Sequence, residues 1–163
     1  MDVSSSDQLE IVSRLVIAGV LGGFIGLERE LRGYPAGIRT IALVAIGSCL
    51  FTDISGLFNG DDGRVASQIV TGIGFLGAGV ILREGYTVRG ITTAATIWSA
   101  AAIGMATGLS LYIVAVLGAG FIFAVLEARP FTRRVHELVR RIGGDLREDE
   151  NEQSGADERE SPL

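Results

Sequence analysis

Residues 90–126 form a run of 37 positions without one charged side chain. A helix needs about 20 largely apolar residues to cross ~30 Å of hydrocarbon. The run is too long for one crossing and sized for two. The stretch MATGLS at 105–110 offers the reversal, with Gly108 suited to a helix end.

Other segments repeat the pattern. Residues 11–27 are interrupted only by Arg14, residues 40–58 hold Asp53, and residues 65–82 lie between Arg64 and Arg83. With 90–107 and 110–127 they give five spans. Charge collects at the ends and in short clusters between apolar runs, and mean hydropathy is +0.42. That distribution predicts an all-α, polytopic membrane bundle rather than a soluble domain.

The arginines orient it. Arg29, Arg32 and Arg39 fall between the first two spans, and Arg83 and Arg89 between the third and fourth. Arg129, Arg133, Arg134, Arg140 and Arg141 follow the fifth. The opposite side has only Arg14 and Arg64. Basic residues favour the cytoplasmic side, so the N-terminus is expected outside and the C-terminus inside. An odd number of spans requires the same split. The start, MDVSSSDQLE, lacks the basic region of a cleavable signal peptide. Residues 1–10 are expected as an extracytoplasmic tail and the first apolar run as a retained helix.

Residues 129–144 carry apolar positions near helical spacing with arginines between them. They read as a basic juxtamembrane helix on anionic lipid, or equally as an extension of the fifth span. Residues 145–163 are charged and apolar-poor, the composition of a disordered tail. The single cysteine, Cys49, lies in an apolar run and says little about redox compartment.

Glycine has a use in such a bundle. Helices in lipid gain little by hiding apolar side chains from one another, so close backbone approach drives their packing. The stretch QIVTGIGFLGAGVILREG supplies Gly72, Gly74, Gly77 and Gly79; the first span supplies Gly19, Gly23 and Gly26; the fourth supplies Gly104 and Gly108. Spans one, three and four are therefore expected to form the packed centre. A broken helix lining a polar path is the alternative use of such glycines.

Charges within spans are costly and need an answer. Arg14 and Glu28 are fourteen residues apart, as are Arg39 and Asp53. Fourteen residues is ~21 Å and nearly four whole turns. With the first two helices antiparallel, the signs are complementary at both levels, predicting Arg14–Asp53 and Glu28–Arg39 pairs. Snorkelling to the interface is the alternative. Gln68 needs a hydrogen-bond partner, Thr92 and Thr96 form an i, i+4 hydroxyl couple beside Thr93, and the Trp98 indole is expected to donate within the bundle. Together these side chains form a candidate polar network.

Three stretches carry a family resemblance: GLERELRGYPAGIRTIALVAIGSCLFT, QIVTGIGFLGAGVILREG and VRGITTAATIWSAAAIGMATG. They closely resemble the MgtC/SapB family of inner-membrane proteins, from about residue 10 to 128. The resemblance implies a multi-pass inner-membrane protein linked to growth in low magnesium and, in pathogens, to survival inside host cells. For the MgtC branch it implies action on other membrane machines, including the proton-translocating ATP synthase. It does not imply a demonstrated magnesium transporter. The family's polar positions fall on Glu28, Arg39, Asp53, Gln68, Arg83, Thr92 and Trp98. The virulence-associated branch tends to carry asparagine where this chain has Thr92. Many members add a folded cytoplasmic domain, so this chain resembles a minimal, transmembrane-domain form.

The function expected is regulation: binding other membrane proteins, or itself, within the bilayer in support of magnesium homeostasis. The alternative is a small carrier or channel subunit for magnesium or protons using Asp53 and Glu28. Magnesium prefers octahedral oxygen coordination, usually through carboxylates and water, and one acid per level already matched by arginine disfavours direct binding. No nucleophile–base set, catalytic residue, metal cluster, cofactor motif or nucleic-acid-binding feature emerges. His136, the one histidine, lies beyond the spans.

Overall fold

The computed structural model describes residues 4–57, 62–84 and 86–128. Five α-helices and one short hairpin occupy them, in the order α1 (Ser5–Leu31), α2 (Ile38–Ser55), α3 (Asp62–Gly79), β1 (Leu82–Glu84), β2 (Thr87–Arg89), α4 (Ile91–Gly108) and α5 (Tyr112–Glu127). The expected juxtamembrane helix and acidic tail lie outside the described residues. α1 and α2 are long and apolar enough to cross a membrane.

α1 begins ahead of the first apolar run because its start is capped. The Ser4 hydroxyl accepts from the Asp7 amide, and the Asp7 carboxylate accepts from the Ser4 amide. This reciprocal pair satisfies two donors that a bare helix start leaves open. At its other end α1 continues through Leu31, over part of the connection expected at 28–39. The link to α2 is then short, and Glu30 reaches over it to accept from the Ile38 amide at 2.9 Å.

α1, α2 and α4 form the packed centre. On α1, Gly22 lies against Ala45 and the Ile41 carbonyl, and Gly26 against the Ile38 backbone. Rising numbers on α1 meet falling numbers on α2, so the two are antiparallel. On α4, Gly104 faces Ala45 and Gly108 faces Cys49 and Thr52, so α2 and α4 run parallel. A Cβ added at Gly104 would collide with the Ala45 carbonyl oxygen. Only glycine permits that approach. Ala18, Ala45 and Cys49, fully buried, sit where the helices meet, with Leu15 packed against them.

The expectation that spans one, three and four make the centre is corrected here: α2 takes the place assigned to α3. Gly77 touches Ala94 of α4, but Gly72, Gly74 and Gly79 would each accept a Cβ with nothing within 4 Å. α2 reaches the centre with alanine, cysteine and serine, small enough to oppose glycines on both neighbours.

The expected 83–89 loop is an antiparallel hairpin pairing Leu82 with Arg89 and Glu84 with Thr87. Gly90 closes it with φ +91°, a left-handed conformation that costs glycine least. An added Cβ there would also collide with the Val80 carbonyl. α4 and α5 reverse through Leu109 and Ser110, within the expected 105–110 stretch. Phe24 of α1 stacks on Phe123 of α5 at 4.6 Å. The chain divides into two compact units, one ending at Phe123 and the other beginning at Ala124. In the second, the described residues complete α5, where the Ala128 amide donates to the Val125 carbonyl at 3.2 Å.

Large apolar side chains cover the outside. Phe75, Ile113 and Phe121 are each more than two-thirds exposed, while buried positions include Glu28, Arg29, Asp53, Thr93 and Thr107. An outside of large apolar side chains, with charged groups sharing the interior with small and aliphatic residues, is unlike a water-soluble helical domain.

Candidate functional site: two polar clusters and an open groove

The first cluster ties three helices at one end of the bundle. Arg14 of α1 donates to Asp53 Oδ1 of α2 at 2.5 Å and to the Gly108 carbonyl of α4 at 3.2 Å. Its second terminal nitrogen pairs with Glu10, one turn earlier on α1. The Asp53 carboxylate is almost wholly buried, and its Oδ2 accepts from the Cys49 thiol at 3.5 Å. The Gly108 carbonyl is one of those a helix leaves unsatisfied at its C-terminus, where a cation is favoured. Arg14 therefore answers a carboxylate and a helix end together.

The second cluster lies at the other end of α1, ~21 Å away by helical rise. The expected Glu28–Arg39 pair is not formed. Glu28 Oε1 lies 2.7 Å from Arg32 Nε, i, i+4 along the same helix, while Arg39 is exposed. Because α1 extends through Leu31, Arg32 stands one turn from Glu28 and needs no chain crossing to reach it. Glu28 Oε2 is buried and takes no hydrogen bond among the described residues.

Arg29 is the largest buried side chain here, at 1% exposure. It donates to the Thr93 hydroxyl of α4 at 3.0 Å and lies over the Tyr34 ring at 3.6 Å. Sequence reasoning counted Arg29 as a flanking charge and missed both partners. The signal available was Thr93 among the α4 threonines and an aromatic five residues on.

The other expected network members do not join either cluster. The Thr96 hydroxyl folds back onto the Thr92 carbonyl of its own helix at 2.8 Å. Trp98 is half exposed beside Val70 and Ile73, and its indole finds no acceptor among the described residues, correcting the expected bundle hydrogen bond. Arg83 stands exposed on β1. Of the glycines, Gly26, Gly104 and Gly108 make close approaches to other backbones, Gly19 meets the Ile46 side chain, and Gly23 barely touches Ile38.

Gln68 lies in the third feature, a groove of about 520 Å³ between α2 and α3. α2 contributes Phe51, Ser48 and Val44, and α3 contributes Val65, Gln68 and Gly72. Both helices pack on α4, yet they meet each other only loosely. Within the groove, Ser48 and Gln68 are the polar side chains.

No group of three or more His, Cys, Asp or Glu side chains that could hold a metal ion occurs among the described residues.

The sequence pattern of the MgtC family matches residues 15–135. Protein MgtC of Brucella abortus is 52% identical over 110 residues, covering 66% of this chain and 46% of the relative. An uncharacterized Synechocystis protein, slr0014, is 48% identical over 126 residues, covering 76% and 54%. YhiD of Escherichia coli K12, named as a candidate magnesium transporter, is 42% identical over 146 residues, covering 82% and 64%. The chain thus spans about half the length of the curated relatives it matches. No solved structure matches.

Proposed function

The chain belongs to the MgtC family, and from that premise we propose a five-span membrane protein that regulates by binding partner helices in support of magnesium homeostasis. Its N-terminus lies outside and its C-terminus in the cytoplasm, following the arginine distribution. It is not an enzyme. The observation carrying this reading is that the buried acids are already answered by arginine, Asp53 by Arg14 and Glu28 by Arg32.

A carboxylate held this way has little to offer a hydrated divalent cation, which binds through several oxygens. A partner helix has more to meet. One face of α3 presents Ser67, Thr71, Gly74 and Ala78, all exposed. Both hydroxyls are turned back onto carbonyls of their own helix. Small residues at this spacing let a neighbouring backbone come close in lipid.

A second reading, a proton or magnesium carrier, rests on Glu28 Oε2, buried without a hydrogen bond among the described residues. Magnesium flux into liposomes holding the purified protein separates the two, with Asp53→Asn and Glu28→Gln as controls. Regulation requires no flux, together with co-purification of another membrane protein that Gly74→Leu abolishes. Flux lost in either carboxylate variant would establish the carrier.

A further inference from the structure

We propose that the groove between α2 and α3 is a binding site for one phospholipid molecule, its phosphate at Arg64, its ester carbonyls at Gln68 and Ser48, and one acyl chain along Gly72. The inference goes beyond the regulatory reading and rests only on its premise that the bundle lies in a bilayer.

Three observations set the order of chemistry along the groove. Arg64 is exposed one helical turn before Gln68, toward the α2–α3 connection. Gln68 and Ser48 then face the groove from opposite walls. Ser48 is only 3% exposed, and neither side chain makes a hydrogen bond among the described residues. Beyond them the lining is apolar, with Gly72, Ile73 and Leu76 facing Val44 and Leu43. A cation, then two hydrogen-bonding groups, then an apolar trough is the sequence a phospholipid presents in reverse sign: anion, carbonyls, hydrocarbon. The Gln68 amide and the Ser48 hydroxyl both donate, which suits ester oxygens. Without such an acceptor, the buried Ser48 hydroxyl carries the cost of a polar group left unpaired in an apolar setting.

From Val65 to Leu76 the groove runs about 16 Å at 1.5 Å per residue. Gly72 clears the floor, since an added Cβ would meet nothing within 4 Å. The same fact makes it the position at which the groove can be filled with least disturbance to the fold.

The test is native mass spectrometry of the full chain, purified in mild detergent and titrated with dioleoylphosphatidylglycerol or with dioleoylglycerol, which lacks the phosphate. The expected result is one phosphatidylglycerol retained per protein copy, with dioleoylglycerol retained at least ten-fold less. Gly72→Leu and Arg64→Gln should each lower phosphatidylglycerol retention about ten-fold, while Phe75→Leu, at an exposed position outside the groove, leaves it unchanged. Melting transitions of all three variants report on folding independently. Equal retention by wild type and Gly72→Leu would overturn the lipid site alone. So would a change in copy number in Gly72→Leu, which would assign the groove to a second copy of the chain. Recovery of the chain from the aqueous fraction without detergent would overturn the bilayer premise itself.

Discussion

Arg14 and Asp53 face each other across the α1–α2 contact at 2.5 Å, and the same guanidinium reaches the last carbonyl of α4. One side chain thus couples three helices at one end of the bundle. Removing Arg14 leaves the Asp53 carboxylate buried with only the Cys49 thiol as partner, which costs about 3–5 kcal/mol in a comparable setting. Removing Asp53 leaves Arg14 its Glu10 and Gly108 partners. Arg14→Ala is expected to destabilise the detergent-solubilised protein by about 3 kcal/mol, and Asp53→Ala by less. The double variant should lose clearly less than their sum, with a coupling of about 1–3 kcal/mol. Thermal unfolding of the four proteins measures it, and strict additivity would remove the pair as an energetic unit.

At the opposite end, Glu28 belongs to Arg32 and not to Arg39. Arg32→Ala should therefore destabilise the protein by about 1–3 kcal/mol, the cost of stranding a buried carboxylate. Arg39→Ala, an exposed position without such a partner, should stay within about 0.5 kcal/mol of wild type. Equal losses from the two would return Glu28 to a pairing across the α1–α2 connection.

Arg29 tests how much an aromatic face contributes to holding a buried guanidinium. Tyr34→Phe keeps the ring beneath the guanidinium and is expected to cost less than Tyr34→Leu. Tyr34→Leu keeps apolar bulk but removes the quadrupole, and should cost about 1–2 kcal/mol in this desolvated position. Chemical denaturation of both variants decides the matter. Equal losses would mean that the phenol hydroxyl or simple packing, rather than the ring face, holds Arg29.

What the sequence made legible, and what it did not, follows from the kind of information each feature needed. The helix positions were readable because the apolar runs are bounded by charge, and the ends moved where local chemistry intervened, as Ser4 and Asp7 did for α1. Arg14–Asp53 was readable because fourteen-residue spacing on two antiparallel helices fixes depth. The same arithmetic failed for Glu28, since depth alone ignores a closer partner on the same helix, and Arg32 is one turn away. α2 was overlooked because glycine was taken as the mark of close packing. Its own Gly47 has nothing within 4 Å of an added Cβ, and Ala45 and Cys49 make the contacts instead. Arg29 needed Thr93 from α4 and Tyr34 from the α1–α2 connection, a convergence that only the folded chain creates.

The glycines themselves separate into two kinds by what lies opposite them. Gly104 stands so close to Ala45 that a methyl group cannot enter unless α4 moves away from α2. That movement would also open the Gly108 contact one turn on and draw the α4 terminus from Arg14. Gly104→Ala should therefore cost more than the loss of a single contact, about 2–4 kcal/mol, in the range of core overpacking and above it. Gly74 is equally helical, but an added Cβ meets nothing. Alanine is the better helix former by about 1 kcal/mol, so Gly74→Ala should leave the melting temperature of the isolated chain unchanged or raised. If Gly74 instead marks a docking face, a bulkier leucine there should weaken recovery of a partner protein while the melting temperature holds. Loss of stability in both variants would mean that α3 packs within its own chain as tightly as α4 does, and would close the face assigned to partners.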